Sequence, residues 1–500
     1  MASFEVSQEP NGEAGAGANR PCAGRRASAG DDVPRKTVMD KMRRASMAAY
    51  LAEAQGVKSL DSDGSTGSSP SASFKEREGI TRKEAWSNMV LALIGVMVCL
   101  LPNIMSKSGY LLAPLLLLLA SLVVIRMGKL ICEACELVEE TRGSAPGSVK
   151  SYEDLAKAVG MYKILLVSKN TVILATVLVA EKFLIDALSG LLPKPMKLSK
   201  SVLRWFFIFP AVCLMALLKD LTQLSKYAWV GLVGMTVQLF GLVGGCLLGC
   251  FTERDRSYSM LPPEGSTIPG MAGITLSAFI FAFAILATVP SVRAQMQKPQ
   301  EMPQALRDAI GFTVILYEVI MLWGYFAYGE DVSENFTQDI AAAFPVFGML
   351  PSLGLLANVA ITAPLFFYCF FSVIEATGTD AIRTQGTRPN TVARVSLVLV
   401  LTLFGWIIPG ILSLIGVFSS VFCVCNNLFF PIFFYHRLRR QTEHPVSALD
   451  LGLNVATAFL GVLVFVYGLQ GSLETLWKEM ESVGKPTKDT IDAVNKTLSI

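Results

Sequence analysis

From Ala85 onward the chain alternates between apolar runs, each near the roughly 20 residues that cross hydrocarbon as a helix, and short polar connectors. Eleven runs follow one another: Ala85–Gly109, Tyr110–Cys132, Tyr162–Leu188, Val202–Leu218, Tyr227–Cys250, Met271–Pro290, Ile310–Tyr328, Phe347–Ile374, Val395–Ile408, Ile411–Tyr435 and Leu449–Leu469. Only Pro409-Gly410 separates the ninth from the tenth, which predicts a tight turn. An odd number of spans places the two termini on opposite faces. The first run carries Gly95 at its centre and Pro102 about two turns later, both of which weaken a helix. Lipid cannot satisfy unwound backbone, so a break at mid-membrane persists only where it lines a cavity or holds a ligand. The sixth run lies five helices after the first, the spacing of an inverted repeat. It has no mid-helix glycine, so glycine marks only one of the two expected breaks.

Composition agrees with this pattern. The 500 residues are 52% hydrophobic and 17% charged, with mean hydropathy +0.50, whereas charged residues make up about a quarter of a soluble domain. The pattern predicts an all-α polytopic membrane protein of eleven transmembrane helices, arranged as a 5+5 inverted repeat plus one. A net charge of +3 without a basic groove sets nucleic acid aside as a partner. Residues 1–80 are rich in Gly, Ser and charge, cannot bury a core, and are expected to form a disordered cytoplasmic tail. The membrane domain is expected over 85–470, with a C-terminal tail over 471–500. No apolar segment follows Met1, so the first span is expected to direct insertion without a cleavable signal. In the tail, Arg25-Arg26-Ala27-Ser28 recurs as Arg43-Arg44-Ala45-Ser46, placing Ser28 and Ser46 beside paired arginines as a basophilic kinase prefers. A solvated basic tail near anionic lipid is the plainer account, and Val38 to Leu51 has a weak amphipathic pattern.

Loop charge sets the orientation. Fourteen Lys and Arg fall in the connectors on the N-terminal side and six in the others, which predicts a cytoplasmic N-terminus. In that topology the sequons Asn335-Phe-Thr337 and Asn495-Lys-Thr497 both lie outside. They are compatible with the plasma membrane or an endomembrane. Of ten cysteines only Cys22 lies away from the apolar segments, which excludes a secreted disulfide framework. Cys132-Glu-Ala-Cys135 has metal or redox spacing but lacks a second pair, and reads as helix packing. His436 and His444, the only histidines, are read as solvated in a short basic loop. No nucleophile with an adjacent His and no motif-spaced metal ligands point to an enzyme, a metal site or a cofactor.

Five stretches in their order and spacing resemble the amino acid/auxin permeases. These are Ile94-Gly95 with Leu101-Pro102 and Gly109; Ser151-Tyr-Glu-Asp-Leu-Ala-Lys-Ala-Val-Gly160; Phe281-Ala-Phe283 with Met296-Gln-Lys-Pro299; Tyr317 to Gly329; and Ile408-Pro409 through Gly416 to Pro431. The resemblance implies a leucine-transporter-like fold and secondary active transport of amino acids or related zwitterions, driven by H+ or Na+. It places substrate at Ile94, Gly95, Val96 and Met97, whose N–H groups would take the carboxylate. It also places substrate at Phe281, Ala282, Phe283 and Ala284, whose carbonyls would take the amine. The chain departs from the family at Val96, Met97, Ala284 and Ile285, where bulk is expected to narrow the cavity or stiffen the helix. Those departures motivate an alternative on the same scaffold, a membrane amino-acid receptor or sensor without turnover.

Ionisable residues inside spans cost a few kcal/mol unless paired or hydrated. Glu318, near the centre of the seventh span, is either a coupling carboxylate that binds and releases a proton or a structural partner for a buried cation such as Lys169. Lys182 and Asp186 lie four apart on one face and are expected to pair. Asn358 and Thr362, on one face of the eighth span, offer oxygens to sodium, with interhelical hydrogen bonding as the plainer role.

Overall fold

A computed structural model of the chain describes residues 79–192, 198–217, 228–252, 255–263, 266–377, 391–408, 410–442 and 445–483. The tail with Ser28, Ser46 and the Val38–Leu51 segment lies outside them, as do His444, Pro409 and the Asn495 sequon. All regular structure among the described residues is helical except an isolated bridge between Ile80 and Met296.

The first span is two helices, α1 (Arg82–Leu93) and α2 (Leu101–Ser108), joined through a 3-10 turn over Val96–Cys99. A capping box of Thr81 and Glu84 starts α1. The second span is α3 (Leu112–Arg142), which ends where Gly143 adopts a left-handed φ of 59°. A short helix, α4 (Tyr152–Ala158), leads into the third span, α5 (Tyr162–Leu191). The fourth and fifth are α6 (Lys200–Leu217) and α7 (Ala228–Cys250). The sixth, like the first, is divided into α8 (Ile268–Ala282) and α9 (Val289–Gln295), with a 3-10 turn over Leu286–Thr288. The seventh is α10 (Met302–Tyr328), followed by a short α11 (Phe336–Ala343). The last four are α12 (Pro345–Thr377), α13 (Thr391–Ile407), α14 (Ile411–Gln441) and α15 (Ala448–Glu481).

Eight of these segments meet the length and hydropathy of a membrane span by themselves. The other three are the first, which is broken into short halves; the third, which carries Lys169, Glu181, Lys182 and Asp186; and the ninth, only 17 residues long. Exposed leucines and aromatics such as Leu115, Leu122, Phe206, Leu214 and Phe240 face outward, as lipid requires. The fifth and eighth spans meet backbone to backbone. A Cβ on Gly354 would sit 2.3 Å from the Gly234 carbonyl oxygen, and one on Gly241 2.4 Å from Pro351 Cδ. Small residues at such a contact let helices pack closely where no hydrophobic force holds them together.

Several expected pairs differ in the folded chain. Lys182 donates to the Ile408 carbonyl, and Asp186 pairs instead with Lys200 at 2.7 Å. The long lysine stem reaches an uncapped helix end more readily than a shorter acid one turn away. Asn335, 2% exposed, caps α11: its Oδ1 accepts from the Thr337 N–H at 3.2 Å and hydroxyl at 2.7 Å. That sequon is a helix cap and carries no weight for orientation. His436 lies inside α14 rather than in a loop, with Nε2 3.1 Å from the Asn454 amide. Cys132 and Cys135 are buried free thiols one turn apart on α3.

Candidate functional site: two interrupted helices around one cavity

Both breaks are set by proline and held open by a side chain from another helix. Pro102 and Pro290 each sit in the first turn of the second half-helix, where their missing N–H costs nothing but the preceding turn cannot close as an α-helix. In the first span the last α-helical bond at the break is the Ile94 N–H to Val90 O, 3.0 Å. An unbroken helix would go on to tie Gly95 N–H to Leu91 O, Val96 N–H to Ala92 O and Met97 N–H to Leu93 O. The Tyr317 hydroxyl occupies the Leu93 carbonyl instead, donating to it at 2.7 Å. In the sixth span the Ala284 N–H turns back to Phe281 O at 3.0 Å rather than reaching Ile280 O. The Asn427 amide donates to that Ile280 oxygen at 3.2 Å.

Tyr317 connects the two breaks. It is fully buried, bonds to the first and stacks its ring on Phe283 of the second, centroids 6.0 Å apart. Asn427 is brought to its place by wide turns in α14 over Ser419–Cys423 and Cys425–Phe429. Such π-type expansions recur at functional sites because they rotate side chains out of helical register.

A cavity of about 390 Å³ lies against both breaks. Ile94, Gly95, Val96, Met97, Phe281, Ala282 and Ala284 all line it, as do Asn358 and Thr362. Phe283 does not, being turned toward Tyr317. A Cβ on Gly95 would meet nothing within 4 Å, so the glycine borders open space. Both helices are interrupted with Val96, Met97, Ala284 and Ile285 at these positions, and each break has a proline and a bonded side chain, Tyr317 or Asn427, beside it.

The remaining lining comes from one half of each helix. Ser87 to Leu93, Lys169 to Ala180, Trp229 to Met235, Ala287 to Val292 and Asn358 to Phe366 all lie between the breaks and the face where α1 begins. The cavity therefore extends toward that face. At the opposite face Ser108 of α2 contacts Thr275 of α8, Asn103 donates to Val332 O at 2.8 Å, and Lys107 pairs with Glu334 at 3.4 Å. Glu334 also accepts from the Ile411 N–H at 2.8 Å.

Lys169 is the one charged residue among the described lining residues, and it is not available to Glu318. Its Nζ bonds to Glu153 Oε1 on α4 at 2.8 Å, and both side chains are largely buried. Burial works against charge on Glu153, but the Lys169 ammonium, helped by the Ser151 hydroxyl, more than offsets it and holds the carboxyl below its ordinary range. Glu318 lies next to Tyr317 but does not line the cavity, and both its carboxylate oxygens are buried without a hydrogen-bond partner among the described residues. Thr362 donates to the Asn358 carbonyl at 3.0 Å, an ordinary helical back-bond.

On the near face α9 is tied to its neighbours. Arg293, 0% exposed, forks onto Glu139 of α3 at 2.8 and 3.0 Å, and Glu139 also accepts from the Gly147 N–H at 2.8 Å. Ile80 exchanges backbone bonds with Gln295 and Gln297, and Arg82 pairs with Asp308. Sequence reasoning missed Tyr317, Asn427 and Arg293 as organising residues. The available signals were the matched prolines and an arginine inside an apolar span.

Sequence relatives match the chain over most of its length. The chain is 22% identical over 414 residues to the amino acid transporter AVT3A of Arabidopsis thaliana, covering 81% of this chain and 90% of the relative. It is 24% identical over 424 residues to the vesicular inhibitory amino acid transporter of Xenopus laevis, covering 80% and 79%. A solved nucleobase-cation-symport-1 family transporter aligns at 13% identity with a TM-score of 0.46, over 81% of this chain and 93% of its own. The profile described as "Transmembrane amino acid transporter protein" matches residues 78–474. With that match over most of its length, the chain belongs to the amino acid/auxin permease family of transmembrane amino acid transporters.

Proposed function

We propose that this chain is a secondary active symporter that moves neutral amino acids with apolar side chains by alternating access, coupled to protons. The observation that carries the reading is the pair of interrupted helices facing one cavity. Two helices broken at corresponding places put free N–H and C=O groups where a zwitterion needs both of its charges met. The first N–H groups of the turn at Gly95–Met97 lack helical acceptors and suit a carboxylate. The carbonyls of Ala282 and Ala284 suit an amine.

Lining chemistry supports the side-chain class. No acid lines the cavity among the described residues, and its one cation is paired with Glu153. A cationic substrate side chain would enter without a counter-charge, at a desolvation cost of several kcal/mol. Leu93, Ile94, Val96, Met97, Phe281 and Ile285 instead offer apolar surface around the breaks. Extension of the cavity toward one face, with the other closed by Ser108, Lys107 and Glu334, fits one end state of a rocking cycle. The loop-charge bias assigns the open face to the cytosol.

Glu318 supports proton coupling through position. Its carboxylate oxygens are buried with no cation or donor among the described residues, one residue from the tyrosine that bonds to the first break and stacks on the second. The test is uptake by purified protein in liposomes across the twenty amino acids, under a proton gradient and then a sodium gradient. Accumulation of leucine or phenylalanine that collapses with the proton gradient supports the reading. Loss of its pH dependence in Glu318→Gln then places the coupling proton. Accumulation driven by sodium alone moves coupling to Asn358 and Thr362. Binding without accumulation under either gradient leaves the sensor as the function.

A further inference from the structure

A second cavity, of about 270 Å³, lies at the closed face, away from the breaks. Its walls come from four separate segments: Lys182 and Asp186 at the end of α5, Lys200 and Arg204 at the start of α6, Ser333 to Gln338 around α11, and Ile411 at the start of α14. The acids in it are already satisfied. Asp186 is paired with Lys200 at 2.7 Å, and Glu334 accepts from Lys107 and from the Ile411 N–H. The donors are not. Asn335 is 2% exposed, and while its Oδ1 caps α11, its Nδ2 is buried without a partner. Arg204 Nε is likewise buried without a hydrogen bond, with the nearest Glu181 oxygen 4.0 Å away. A buried donor without an acceptor costs about 1–3 kcal/mol.

What this cavity lacks is an acceptor. A guanidinium edge and an amide N–H₂ that line one cavity can together recognise a carboxylate, through bonds stronger than those to a neutral oxygen. We propose that the closed-face cavity is a second binding site for a small organic carboxylate, held by Arg204 and Asn335. Its occupant would tie α6 to the α10–α11 connection and so favour the state in which this face is shut. The site stands independently of the role given to the central cavity.

The test separates the two cavities. Thermal melting of the full-length protein in detergent is followed in a Gly95→Leu background, which fills the edge of the central cavity. Acetate, glycine, glycinamide and chloride are added at equal ionic strength. The expected result is a saturable rise in Tm of about 2 °C with acetate and glycine, absent with glycinamide and chloride. Asn335→Asp keeps an oxygen to cap α11 but replaces the unpartnered donor with an acceptor, and it should abolish the rise. Arg204→Gln should do the same and serves where Asn335→Asp does not fold. A rise with glycine but not acetate identifies an amino acid rather than a simple acid as the occupant. Acetate and glycine indistinguishable from chloride, or a rise that persists in both variants, overturns the proposal.

Discussion

Replacing Tyr317 by phenylalanine tests how the first break is held. The ring and its 6.0 Å stacking on Phe283 would remain, and only the hydroxyl that donates to Leu93 O at 2.7 Å would be lost. Leu93 O is the carbonyl to which Met97 N–H would bond in a continuous helix. Without the hydroxyl, two outcomes compete. Either the carbonyl stays buried and unsatisfied, at about 1–3 kcal/mol, or Met97 N–H swings onto it and closes the helix. The second relieves the cost to stability but removes an N–H from the break. In both cases the conformation that binds substrate is disfavoured by up to that amount, which lowers apparent affinity by about 5-fold to 150-fold.

Two measurements bear on this. In liposomes Tyr317→Phe should raise the KM for uptake within that range. In hydrogen exchange the Met97 amide should become slower to exchange as it gains a helical partner. Global melting should change little, because the closed helix satisfies the freed carbonyl. An unchanged KM together with unchanged Met97 exchange would refute the idea that Tyr317 competes with the helix for Leu93 O. A large fall in melting temperature with no slowing at Met97 would reduce Tyr317 to a packing residue.

Three further outcomes are expected. Gly95→Leu should abolish uptake while the protein still inserts and elutes as a folded species, because the new side chain enters open space at the break rather than the core; normal uptake would remove this turn from the transport path. Arg293→Met should destabilise the protein by about 3–5 kcal/mol by stranding the Glu139 carboxylate, read as a fall in melting temperature, and adding Glu139→Leu should recover part of it. For Glu153, whose pKa is depressed in the fold, the stabilisation is fully present above the unfolded value near 4.3 and is lost as pH falls through the lower folded value. Melting temperature should therefore fall on acidification below about pH 4, and Glu153→Gln should flatten that segment of the profile; an identical acid limb in the variant would show that the Lys169 pair does not set it.

Much of the architecture was legible because a bilayer constrains sequence more tightly than water does. Each of the eleven apolar runs is helical over most of its described residues, since backbone in lipid has few ways to satisfy itself other than helix. The ends were less legible. The last helix runs on to Glu481 through Glu474 and Lys478, which pair at 2.8 Å on one face while apolar residues occupy others, so a count of hydropathy stops too early. Gly95 announced the first break because a glycine at mid-membrane has few other uses. The sixth span breaks without one, and its signal in the sequence is Pro290, where the apolar run ends. Two prolines at the same point of two half-helices amount to a stronger statement of internal symmetry than a glycine in one of them. What no local pattern could supply is the partner that keeps each break open. Tyr317 reaches a carbonyl 224 residues away in sequence and Asn427 one 147 residues away. Seen in sequence, each is an ordinary member of an apolar run. Only packing turns one toward Leu93 and the other toward Ile280. The same holds for charge. Lys169 could face Glu318 or Glu153 by composition, and the choice fell to α4, a seven-residue helix whose position depends on Tyr152 bonding to the Asn426 carbonyl. That choice leaves Glu318 without a counter-ion among the described residues, so a change in its protonation would break no salt bridge there.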